Sequence, residues 1–168
     1  KVLLEHLFKE AGYETYPFGY ESLFSRITAG INRQGVQTDT LQRIRSMPDL
    51  LVINNNKNIV HLVEAKFTGY TKISFYAQSK GKIDNYYKYW NDSIIVIIVP
   101  AKEYIYAQYM CKLRMPRKTY NKFETQVYYF NLEEEFVPIY KIFPEINTEK
   151  IARVKHIIDK IKPKERME

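Results

Sequence analysis

Apolar residues recur at helical spacing from the start of the chain. Leu3, Leu4, Leu7 and Phe8 form one stripe that stops at Ala11-Gly12, which predicts a helix over about residues 1 to 11. Tyr13 to Tyr16 then reads as a short strand, closed by Pro17 and Gly19. The period is lost from Glu21 to Met47, where Gly30 and Gly35 interrupt and only Thr40 to Arg45 supports a helical turn. Two strand-like runs, at about 49 to 54 and 59 to 67, flank Asn54-Asn55-Asn56-Lys57-Asn58 and predict a hairpin, because Asn tolerates turn conformations.

Phe75 to Trp90 predicts a helix weakened by Gly81, Ser93 to Val99 a buried strand ended by Pro100, and Tyr104 to Met110 another helix. Val127 to Phe130 is expected as a strand and Val137 to Phe143 as an extended piece between prolines. Ile151, Val154, Ile158 and Ile161 form the stripe of a last helix, capped by Asn147 or Thr148 and ended by Pro163. That stripe would pack on the core or on a second copy of the chain, which leaves a homo-oligomer open. The order of elements implies the α/β class, with a mixed central β-sheet flanked by helices.

Composition narrows the classes. A chain of 168 residues fits one domain with a sizeable core. With 27% charged residues and no low-complexity tract, it reads as globular rather than disordered. The longest apolar run, Ile94 to Val99, is far below the roughly 20 residues of a membrane helix, so no membrane partner is expected. No basic-then-apolar leader is visible, and Lys1 already lies inside an amphipathic pattern, as if the native start lay upstream. The lone Cys111 can form no internal disulfide and is expected as a small packing residue of a cytoplasmic protein. A net charge of +7 favours polyanionic partners.

The hairpin carries the candidate chemistry. With its turn centred between Asn56 and Lys57, Ile53 pairs with Val60, Val52 with His61 and Leu51 with Leu62, and Asp49 falls opposite Glu64. Paired residues share a face with Cβ atoms about 5 Å apart, and Lys66, two residues on, shares it too. A slip of one residue would undo this convergence. Two carboxylates this close repel unless a cation intervenes. Oxygen donors suit Mg²⁺ or Mn²⁺; zinc would call for clustered Cys or His, and His6, His61 and His156 are scattered. A lysine beside such a centre can orient water or steady developing negative charge. Phosphodiester hydrolysis requires these parts.

Pro48-Asp49, a short hairpin, and Glu64-Ala65-Lys66 in an apolar strand, preceded by a helix bearing Glu5, resemble the PD-(D/E)XK nuclease superfamily. Its members include archaeal Holliday-junction resolvases, restriction enzymes and RecB-type exonucleases, and the resemblance covers roughly residues 1 to 100. It implies a restriction-endonuclease-like core, with residues 1–143 as the nuclease-like domain and 144–168 as its C-terminal helical extension. By the same resemblance Asp49, Glu64 and the Ala65 carbonyl hold the metal, and Lys66 positions or activates water. Glu5 is the acid that assists from the first helix, ahead of Glu10 and Glu21. The Gln-x-x-x-Tyr motif of some RecB-type relatives is matched imperfectly, since Gln78 is followed four residues later by Lys82 and only then by Tyr86.

The expected activity is metal-dependent hydrolysis of DNA, directed by ends or structure, in repair or recombination; single-stranded, duplex and branched DNA are all admitted, and RNA is not excluded. Arg43 and Arg45, just ahead of Pro48-Asp49, are placed to meet the scissile strand, and Gln78 and Lys82 to face a phosphate. Lys112, Arg114, Arg117, Lys118 and Lys122 form an acid-free basic run interleaved with Tyr109 and Tyr120, suited to phosphates and unpaired bases. Two alternatives stand beside this: a catalytically silent module that binds nucleic acid or assembles with partners, and an ordinary ion pair between Lys66 and its acids.

Overall fold

A computed structural model of the chain describes residues 1–19, 38–68, 72–76, 80–100, 104–120 and 126–161. Helix α1, Val2–Glu10, buries Leu3, Leu4, Leu7 and Phe8. Gly12, at φ +85, ends it in a left-handed turn. The N–H groups of Gly12 and Tyr13 donate to the carbonyls of Lys9 and Phe8, both at 2.9 Å, so the last turn is closed and β1, Glu14–Pro17, can start at once.

After α2, Asp39–Arg45, come β2, Leu50–Asn54, and β3, Ile59–Phe67. Next are β4, Lys72–Tyr76, α3, Lys80–Tyr89, β5, Ile94–Val99, and β6, Tyr104–Tyr109. The chain continues through β7, Arg117–Tyr120, β8, Gln126–Asn131, the short α4, Leu132–Glu135, β9, Val137–Pro138, and α5, Thr148–Ile161.

Six strands form one sheet in the order β1-β2-β3-β5-β6-β9, and β4-β8-β7 form a second. In the larger sheet β3 and β5 run parallel while the other neighbours are antiparallel. This is the expected mixed sheet. Leu50, Val52, Val63, Ile94, Val96 and Ile98 face α1, together with Phe143, Ile146 and Val154. Ile95, Ile97 and Val99 face the other way, onto Ile83 and Tyr86 of α3 and onto Phe130, Leu132 and Phe136. Strand β5 is buried along its whole length, which explains its unbroken apolar sequence. The last helix docks on the core through Val154, with Ile151 against it. Asn147 is its cap, since Oδ1 accepts from the Lys150 N–H at 2.9 Å. Pro163 lies outside the described residues.

Three expectations are corrected. Tyr104 to Met110 is a strand for all but its last residue: Ile105 and Ala107 point into the core at period two, and all six positions pair with β5. Phe75 and Tyr76 end strand β4, paired with Tyr128 and Val127, so the helix begins only at Lys80. Val137 to Phe143 extends for two residues and then turns through a 3-10 helix, Ile139–Lys141. In addition Cys111 is exposed rather than packed. Among the described residues no helix is long and apolar enough to cross a membrane.

Candidate functional site

The hairpin pairs as expected: Leu50 with Val63, Leu51 with Leu62, Val52 with His61, Ile53 with Val60 and Asn54 with Ile59. Its turn is closed by the Lys57 N–H, which donates to the Asn54 carbonyl and side chain, both at 3.2 Å, with Asn58 at φ 52. The turn is also gripped from outside. Glu145 accepts from the Tyr13 hydroxyl, from Asn54 Nδ2 at 3.0 Å and from Lys57 Nζ at 2.6 Å. Lys57 first, then Tyr13, hold its carboxyl down from 4.5 to about 2. His61, whose ring meets Phe143 edge to face, has its pKa lowered chiefly by burial.

At the opposite end of the hairpin, backbone pairing stops at Leu50 and a side chain takes over. Asp49 Oδ2 accepts the Ala65 N–H at 3.0 Å, which holds this carboxylate against the β3 backbone beside Glu64. Glu64 is buried at 4% exposure, an unusual place for an acid without partners. Its partners are the Lys66 ammonium, in an ion pair, and the Tyr86 hydroxyl. Burial, the largest influence, raises its pKa; the Lys66 charge opposes that, and the Asp49 charge raises it further. Lys66 Nζ also lies 6.0 Å from the Tyr86 ring centroid. Thus α3 supplies a lid of phenol and ring over the two charged residues of β3.

Asp49 is fixed from its other side as well. The N–H groups of Phe18 and Gly19 donate to its carbonyl at 2.9 and 3.3 Å. A Cβ on Gly19 would meet Asp49 Cα and the Pro48 carbonyl at 3.7 Å and Asp49 Oδ1 at 3.9 Å, ordinary contacts, so the close approach itself does not require glycine. The donor set fits a hard divalent cation: two carboxylates on one sheet face, the main chain at Ala65, and a buried acid whose ionisation an added cation would favour. Among the described residues no group of three His, Cys, Asp or Glu side chains gathers to hold a metal, so the remaining ligands would be main-chain, water or substrate oxygens.

The other expected residues are dispersed. Glu5 is half-buried on α1, which packs against the face opposite Glu64 and Lys66. Glu10 lies 3.7 Å from Arg153, while Glu21, Gln78 and Lys122 are outside the described residues and Lys82 is placed on α3 by its backbone alone. Arg43 is exposed, stacked at 5.5 Å over the Trp90 ring, and Arg45 follows it on α2. Arg114 is exposed with its carbonyl accepting from Tyr87 at 2.7 Å, Arg117 is paired with Glu134, and Lys118 lies on β7. Lys112 rests 5.2 Å from the Tyr109 ring. Part of the basic run is therefore already engaged. Sequence reasoning did not single out Tyr86, Gly19 or Glu145 for roles here; each acts across long sequence separations with no local period to mark it.

No family model and no curated protein matches the chain. Among solved structures it is similar to Hjc of Archaeoglobus fulgidus, a Holliday junction resolvase from an archaeal hyperthermophile, at 10% identity and a TM-score of 0.47. That similarity covers 84% of this chain and 98% of the other, and it is too remote to bear on chemistry.

Proposed function

We propose that the chain is a metal-dependent DNA nuclease of the PD-(D/E)XK kind, with Asp49, Glu64 and the Ala65 carbonyl holding Mg²⁺ or Mn²⁺. One observation carries this: the Ala65 N–H fixes the Asp49 carboxylate next to a buried, otherwise costly Glu64, with Lys66 on the same face. A cation held there would polarise a phosphoryl oxygen and lower the pKa of water. Glu64 and Asp49 supply the negative charge that retains it. Lys66, freed from Glu64 by that exchange of partners, would present its ammonium to the attacking water or to the charge developing on phosphorus-bound oxygen. Tyr86 holds the Glu64 carboxylate in place by its hydroxyl and shields it from bulk water. Glu5, on the helix that covers the opposite face of the sheet, is given no part at this centre. Residues 1–143 are taken as the nuclease-like unit and 144–168 as its helical extension, in a cytoplasmic protein acting on ends or branched DNA.

The test is cleavage of labelled single-stranded, duplex and four-way-junction DNA with Mg²⁺, Mn²⁺ or chelator, for the native chain and Asp49→Ala. Metal-dependent cutting that Asp49→Ala abolishes is the expected result. Cutting that survives the substitution unchanged would refute the site. Binding without cutting of any substrate would favour the silent module, in which the Lys66–Glu64 pair is simply a structural ion pair.

A further inference from the structure

Trp90 is the only tryptophan of the chain and it sits in a built stack. The Arg43 guanidinium lies 5.5 Å above its ring, and Phe18 meets it edge to face at 6.1 Å and 88°. Its indole N–H donates to the Arg43 carbonyl at 3.3 Å, which sets the plane of the ring. One side of the ring packs on the core beside α3, and Arg43 is exposed above it. The nearby acid, Asp39, is paired with Lys88 and Tyr89; it also feels the Arg43 charge, but no ion pair joins the two among the described residues.

Two connections tie this stack to the candidate centre. Trp90 follows Tyr86 by four residues at the end of α3, so the two side chains stand about one turn, roughly 6 Å, apart on one face. Phe18 belongs to the segment whose N–H groups hold the Asp49 carbonyl. A planar aromatic with a stacked guanidinium, on a chain of net charge +7, suits a flat, electron-rich group attached to a phosphate.

We infer that the exposed Arg43 guanidinium, backed by Trp90 and Phe18, is a stacking platform for one unpaired base of a DNA strand, next to the phosphate presented to Asp49 and Glu64. It deepens the nuclease proposal and rests on it for the position of that phosphate. The base must be unpaired, because a base inside a duplex offers no free face to a side chain. Recognition would therefore fall on single-stranded tails, frayed ends or splayed junctions rather than on continuous duplex.

The lone tryptophan makes the test direct. In chelator, where no cleavage can occur, a short oligothymidylate should quench Trp90 fluorescence saturably, while its duplex form and inorganic polyphosphate should leave it nearly unchanged. Trp90→Ala should weaken oligothymidylate binding about five- to hundred-fold, measured by anisotropy of a labelled strand. Trp90→Phe should recover most of that loss and guard against misfolding, and Arg43→Lys should retain charge yet lose affinity. Oligothymidylate binding with unchanged fluorescence, equal quenching by polyphosphate, or no binding at low salt would each overturn the platform. The nuclease proposal fails separately: quenching that persists while no DNA is cut in Mg²⁺ or Mn²⁺ leaves the platform and removes the chemistry.

Discussion

Replacing Glu145 by Gln keeps the shape of the side chain and removes the charge shared by Tyr13, Asn54 and Lys57. A carboxyl lowered from 4.5 to about 2, at about 1.36 kcal/mol per pKa unit, corresponds to roughly 3 kcal/mol. The side chain is 27% exposed, so water screens part of the interaction and about 1–2 kcal/mol is the expected loss near pH 7. The sign follows from the direction of the shift. A depressed carboxyl contributes fully above its unfolded value, near 4.5, and its contribution fades as pH falls toward about 2. Urea unfolding of the native chain and Glu145→Gln should therefore show a gap that shrinks below pH 4.5 and closes near 2. His61 feels the Glu145 charge, so the comparison is best repeated with His61→Gln in both chains. A gap that stays constant down to pH about 2 would show that charge contributes nothing; no gap near pH 7 would show that the clasp itself does not.

Mg²⁺ or Mn²⁺ at a hundred times its dissociation constant should stabilise the native chain by about 2.7 kcal/mol, a melting shift of roughly 5–10 °C, and should leave Asp49→Ala unmoved in differential scanning calorimetry. Lys66→Met strips a buried acid of its cation, so it should cost about 1–3 kcal/mol at alkaline pH. Since Glu64 already has a raised pKa, protonation relieves that cost, and the loss in urea unfolding should be smaller at pH 5 than at pH 8. Phe143→Ala should lower stability by about 3–5 kcal/mol, because Phe143 is fully buried and its ring meets Phe8, Tyr13 and His61 edge to face.

The hairpin could be read from sequence because its register follows from one turn and a period of two. Once Asn54 to Asn58 is the turn, the positions of Glu64 and Lys66 relative to Asp49 follow by counting. The last helix was readable for the same reason, its stripe being long and its cap polar. Tyr104–Tyr109 misleads because six residues, half of them aromatic, fit either period; pairing with β5 decides. Lys72–Tyr76 is a strand only because β8, more than fifty positions on, comes back beside it. Tyr86 entered the sequence only as a misfit to a motif, yet its hydroxyl reaches Glu64. Such contacts are set by how α3 lies on the sheet, which no local pattern encodes.

The bond from the Ala65 N–H to Asp49 gives one carboxylate two employments. It caps the open end of a ladder, as an N-cap residue caps a helix, and under the proposed function its other oxygen would be the one to meet a cation. Removing the side chain thus disturbs the main chain of β3 as well as the charge, and a dead variant made that way is ambiguous between chemistry and architecture. Asparagine separates the two employments: its carbonyl oxygen can still receive the Ala65 N–H while the charge is gone. If the ladder end is what matters, Asp49→Asn will behave like the native chain in every property but its hold on a cation.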